Sequence, residues 1–228
     1  MLTGPRLLVC LQLIFCFTVM GMSTTQANAD RKTLEARFLL AAGKDNIEAV
    51  QTLLVQGVDI ESRDSSGRSA LLLATHHNAI KVARFLIEAG ADVNAMDNIN
   101  DSPYLYAGAE GPIEILRMTL EHGADLGSVN RYGGTALIPA AHHGHVEIVR
   151  ELLKTKIDID YVNHLGWTAL LEAVILGDGG PVHSKIVRLL IEAGADHNIA
   201  DKDGILPLTH ASNRGYGEIV KLLSAADQ

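Results

Sequence analysis

The sequence predicts an all-α solenoid of about six stacked helix–turn–helix units, and three observations carry that expectation. Turn residues recur at a period of 33, at Gly67, Asn100, Gly133 and Gly166, with Gly204 following after a five-residue insertion. Self-similarity at such a period marks a repeat array. Hydrophobic residues make up 47% of the 228 and aromatics only 4%, a balance that suits stacked Ala- and Leu-rich helices better than a β-sandwich. Finally, the repeats carry apolar helical stripes, such as Ile148-Val149 with Leu152-Leu153 or Ile186-Val187 with Leu189-Leu190. One unit cannot bury such a stripe alone, whereas a stack of them shares one core.

Residues 1–29 differ from everything that follows. Arg6 precedes an apolar run from Leu7, and Ala27-Asn28-Ala29 supplies the small-x-small pattern that signal peptidase accepts. The expectation is a signal peptide cleaved before Asp30 and a periplasmic protein. Secretion, or membrane anchoring through residues 7–22, are the lesser alternatives, since that run is shorter than the ~20 residues that span a bilayer. Cleavage would remove Arg6, Cys10 and Cys16, leaving a thiol-free chain with 18 bases and 27 acids. Such a chain suits an oxidising compartment and forms neither disulfides nor thiolate metal sites.

From there the repeats run in order: about 33–63, a degenerate first unit, then 64–96, 97–129, 130–162, 163–200 and 201–228. Ser69, Ser102, Thr135 and Thr168 each stand just before an apolar helix, where a hydroxyl caps free backbone N–H groups. Pro103 follows its cap at the first helical position, where no N–H is needed. Ala74, Ala107, Ala140, Ala173 and Ala211 fall where neighbouring helices must come close. Gly111, Gly144, Gly177 and Gly215 end the first helix of their units, with Asp45 and Asn78 as left-handed substitutes. Gly57, Gly90, Gly123 and Gly194 stop the second helix. Lys156 replaces that glycine in the fourth repeat and predicts local strain. The insertion around Asp178-Gly179-Gly180-Pro181-Val182 predicts a loop rather than a longer helix. Asp59, Asp92, Asp125, Asp158 and Asp196 occupy one slot in successive turns, which points to turn capping rather than acid–base chemistry.

The segment Gly133-Gly134-Thr135-Ala136-Leu137-Ile138-Pro139-Ala140-Ala141-His142-His143-Gly144-His145-Val146-Glu147-Ile148-Val149 resembles the ankyrin-repeat family, as do Gly90-Ala91-Asp92-Val93-Asn94-Ala95 and Gly194-Ala195-Asp196-His197-Asn198. The resemblance covers nearly all of the chain after residue 30. It implies β-hairpin fingers between the helix pairs and a concave groove, lined by fingers and first-helix ends, that binds a protein partner. The positions so implicated are Ile99 and Asp101; Arg131 and Tyr132; His142 and His143; His164, Leu165 and Trp167; Ile175 and Leu176; and Arg214. Tyr132, Leu165 and Trp167 are expected to carry most of the affinity, because exposed aromatic and aliphatic residues have no folding reason to cluster there.

A net charge of −8 argues against nucleic acid as partner. The ten histidines do not converge: equivalent positions two repeats apart are ~20 Å from one another at the ~10 Å spacing of packed helices. No metal ligand set, cofactor or catalytic residue is therefore assigned, and a capped solenoid is expected as a monomer. Small exported ankyrin proteins resemble this chain, and some of that group are associated with catalase and peroxide resistance. The expected function is thus a non-catalytic binding module that supports an exported enzyme, with an immunity or inhibitor protein, or a secreted effector, as alternatives.

Overall fold

The computed structural model describes residues 24–226, and within them the chain forms twelve α-helices. They pair along the sequence: α1 (Thr24–Gly43) with α2 (Ile47–Val55), α3 (Ala70–His76) with α4 (Ile80–Glu88), and α5 (Pro103–Glu110) with α6 (Ile113–Glu121). Then come α7 (Leu137–His142) with α8 (Val146–Leu152), α9 (Ala169–Ile175) with α10 (Pro181–Glu192), and α11 (Pro207–Asn213) with α12 (Gly217–Ala226). Each odd-numbered helix packs on the next odd-numbered one, and each even-numbered helix on the next even-numbered one. The result is two helical layers sharing one core that runs from Phe38 to Leu223. Ala74, Ala107, Ala140, Ala173 and Ala211 are all fully buried.

Turn chemistry sets the register. Asp59, Asp92, Asp125, Asp158 and Asp196 each accept, through Oδ1, the backbone N–H two residues on. They are turn caps, as their spacing indicated. The fingers use the same device a second time. The Oδ1 atoms of Asp64, Asp97, Asn130, Asn163 and Asp201 each accept two backbone N–H groups, two and four residues on. Each finger is further closed by a backbone pair such as Asn163 N–H to Trp167 C=O at 3.0 Å. These closures make tight turns rather than hairpins of strand: among the described residues the sole β-pairing is the isolated bridge Arg63–Ser69.

Several local expectations need correction. Ser69, Ser102 and Thr168 do cap their helices, accepting from Leu72, Leu105 and Leu171. Thr135 does not. Pro139 has no N–H to offer the Thr135 carbonyl, which instead takes the Ile138 N–H at 3.2 Å and tightens the first turn. The Thr135 hydroxyl is left buried without a partner. Lys156 carries no left-handed strain, since the non-glycine residues at positive φ are Asp45, Asn78 and Asn100. The fourth unit's second helix simply ends early, and the Thr155 hydroxyl donates to the Leu152 carbonyl at 2.6 Å in place of a glycine turn.

The insertion also differs from expectation. Pro181 opens α10, which runs to twelve residues against nine in α4 and α6, so part of the added sequence lengthens a helix. Proline is well suited to that first helical position. The left-handed role expected of Gly177 passes to Gly179, at φ 68°. Gly177 is needed for another reason: a Cβ there would lie 2.1 Å from the Ala173 carbonyl and 2.7 Å from the His183 ring.

The expected signal peptide lies largely outside the described residues. Its last six, 24–29, form the start of α1, which therefore runs through the expected cleavage point and begins before the first repeat boundary at 33. Two i,i+4 contacts support that turn of helix, Gln26 to Asp30 at 3.0 Å and Arg31 to Glu35 at 2.9 Å. Among the described residues no helix is long and apolar enough to cross a membrane.

Candidate protein-binding groove

The fingers of the third to fifth repeats stand over the ends of α5, α7 and α9 and enclose a pocket of ≈ 430 Å³. Seven of the sequence-implicated residues line it: Asp101, Arg131, Tyr132, His142, His143, Leu165 and Leu176. Tyr132, Leu165 and Leu176 are 57%, 48% and 42% exposed, which is unusual for large apolar side chains brought to one rim.

The other five sit elsewhere. Ile99 is half-exposed on its finger but off the pocket, and Arg214 is exposed on the last repeat. His164 joins adjacent fingers: its N–H donates to the Tyr132 carbonyl at 3.1 Å, and its own carbonyl accepts from the Lys202 ammonium. Trp167 is half-buried at the base of the fifth finger and does not line the pocket. Ile175 is a correction, because it is buried at 9% exposure and belongs to the core. It is the last residue of α9, and the turn beyond it gives the solvent side to the C-cap Leu176 alone.

Fixed charges shape the mouth. Arg131 pairs with Asp101 at 3.0 Å and lies over the Tyr132 ring at 5.1 Å. Burial raises the Asp101 carboxyl above its ordinary range, against the pull of Arg131. The His143 ring Nδ1 is 2.6 Å from the Ala109 carbonyl, and His76 stacks on Tyr106 with ring centroids 3.8 Å apart. Burial, followed by His143 and His183, holds the His142 imidazole below its usual range. Among the described residues no group of three or more His, Cys, Asp or Glu side chains is placed to hold a metal ion.

The residue that sequence reasoning missed is Glu172. It lies on α9 with its side chain 8% exposed, and it contributes to the pocket lining. Asn163 Nδ2 donates to Oε1 at 2.9 Å, and the His142 Nδ1 is 3.7 Å from Oε2. Burial pushes its carboxyl up to about 7, against the opposing effects of the Asn163 bond and His143. The signal was present in the register. The position before the packing alanine reads Leu73, Tyr106, Pro139, Glu172 and His210 down the repeats, with a single acid among them.

A profile of the ankyrin-repeat family matches residues 12–97, 38–130 and 104–201. The chain belongs to the ankyrin-repeat family. It is 59% identical to an ankyrin repeat domain from Acinetobacter baumannii AYE, covering 83% of this chain and 97% of that one, with a TM-score of 0.81. The ankyrin repeat protein EF0377 is 44% identical over 82% of this chain and 96% of its own, with a TM-score of 0.79. Among curated sequences, the ankyrin repeat protein YahD of Escherichia coli (strain K12) is 49% identical over 55 residues, a stretch that spans 27% of YahD and 24% of this chain. At 22% identity, a chain from the complex of the Bdellovibrio bacteriovorus predatory endopeptidase Bd0816 with the immunity protein Bd3460 shares the fold, with a TM-score of 0.72. Ankyrin repeats form protein–protein interaction modules, and this ankyrin chain is one.

Proposed function

We propose that the chain is an exported, non-catalytic module that docks a protein partner over repeats three to five. The observation that carries this reading is the ring of Tyr132, Leu165 and Leu176, each more than 40% exposed around a single concave pocket. Folding has no use for that arrangement, and clustered aromatic and aliphatic anchors are what dominate interface energetics. Export rests on residues 1–29, whose charged start, apolar run and small-x-small end have the make-up of a signal peptide. The partner is then an exported enzyme, such as a catalase, that the module supports or protects. A second reading, an immunity protein that blocks a periplasmic enzyme, draws on the fold shared with the Bd0816–Bd3460 complex.

The test is affinity capture from a periplasmic extract with the tagged protein, beside a Tyr132→Ala, Leu165→Ala, Leu176→Ala variant of unchanged thermal stability. A partner held by the parent and lost by the variant is the expected result. Its activity with and without the module then separates support from inhibition. A partner held equally by both would move the interface off this groove.

A further inference from the structure

We propose that the pocket over α7 and α9 receives a basic side chain, arginine or lysine, from the protein partner, with Glu172 as its anchor. This rests on the groove reading above and names the chemistry the groove selects.

The position of Glu172 is the first argument. A carboxylate taken out of water is costly unless it is paired and hydrogen-bonded. Here Oε1 has the Asn163 amide, but the neighbour of Oε2 is His142 at 3.7 Å, beyond hydrogen-bond reach. The same slot in the other units is either uncharged or matched. Leu73, Tyr106 and Pro139 bring no charge, and His210 is held by Asp201 at 2.7 Å. In the fifth repeat alone, an acid stands at this position with no cation within hydrogen-bond reach of its free oxygen, and it faces the pocket. A partner cation completes the pair.

Charge and shape around the pocket agree with a basic occupant. Asp101, Glu110 and Glu172 all line it, and the cation among the lining residues, Arg131, is already neutralised by Asp101 at 3.0 Å. His142, held low by burial, stays uncharged near neutral pH and does not oppose a second positive charge. The walls include Tyr106, Ile138, Leu165 and Leu176, apolar surface against which the methylene stem of a long basic side chain packs while its head reaches the carboxylate. At ≈ 430 Å³ the pocket falls within the ~300–1,000 Å³ of ordinary ligand sites. The net charge of −8 favours encounter with basic surfaces.

Peptide display against the purified protein tests this directly, using a random nonamer library at pH 7.5 and, in parallel, the Glu172→Gln variant. Glutamine keeps the acceptor for Asn163 and removes only the charge; its thermal melt verifies folding. The expected result is enrichment of a basic residue at one fixed position by the parent and loss of that preference by the variant. A selected peptide should bind the variant about 10- to 100-fold more weakly, as expected when a buried charge loses its partner. A Glu110→Gln control at the exposed rim should change affinity less than about threefold. If the parent selects peptides that need Tyr132 and Leu165 but show no basic position, the groove reading stands and this inference falls. The same holds if Glu172→Gln retains the basic preference. If the parent selects nothing, both fall.

Discussion

Glu172 is an acid whose folded-state ionisation differs sharply from that of the open chain, and the consequence for stability has a definite sign. Its carboxyl rises from 4.5 to about 7 on folding because burial penalises the charge. Between those values the folded protein holds a proton that the unfolded chain has released. Stability therefore falls as pH rises through that window, by an amount on the order of 3 kcal/mol at ~1.4 kcal/mol per unit. Glu172→Gln should remove the penalty while keeping the Asn163 bond. We expect the variant to gain roughly 1–3 kcal/mol over the parent at pH 8, and almost nothing at pH 4.5, measured by urea denaturation. The other ionisable side chains packed around α9 include His142 at the end of α7, His143 just after it, His183 on α10 and His210 on α11. They are common to both proteins, so the difference between the two curves isolates residue 172. Equal gains at both pH values would mean that the carboxyl is not desolvated in the folded state.

At the scale of elements, helix starts that look equivalent are not. Thr168 Oγ1 accepts the Leu171 N–H at 3.2 Å, whereas the Thr135 hydroxyl, one repeat earlier, is buried with nothing to bond. Thr168→Val should cost about 1–2 kcal/mol through the lost cap, and Thr135→Val should be neutral or stabilising, because it removes an orphan hydroxyl from the core. Chemical denaturation of the two variants measures the contrast, and equal losses would show that the α7 start is capped after all. The case also marks what was legible in the sequence. The five capping aspartates and the packing alanines repeat in register, so the helix order and the shared core follow from spacing alone. What spacing hides is the consequence of a single replacement nearby: Pro139 undoing a cap, Thr155 standing in for a glycine turn, Gly179 taking over from Gly177. The groove shows the same division. Tyr132, Leu165 and Leu176 were expected to be exposed because finger tips and helix ends are free of core duty, and they are exposed around one pocket. Ile175 was misplaced by one helical position, and Glu172 was overlooked because inward-facing slots are read as packing.

Across the whole molecule, stability is a sum of repeat and interface terms rather than one undivided core, and those terms are unequal here. All seven residues of α9 are buried, while α11 buries Pro207 and Ala211, and α12 buries Ile219 and Leu223. A helix pair that buries so little apolar surface against one neighbour opens alone more cheaply than the centre, which is clasped on both sides. Native-state hydrogen exchange should therefore find α11 and α12 opening sub-globally. Their amides should exchange at least about tenfold faster than those of α9, a gap of ~1.4 kcal/mol or more. Uniform protection from α3 to α12 would instead mean that the array opens as one unit. The pocket over α7 and α9 then lies on the most stable part of the stack, where a buried acid with no cation in hydrogen-bond reach is best tolerated. A partner that seats on it meets a preformed surface and spends little of its binding energy on ordering the array. An occupant of the pocket should accordingly raise protection most in α9, whose amides exchange through the global opening that releases it, and leave the sub-global opening of α11 and α12 unchanged.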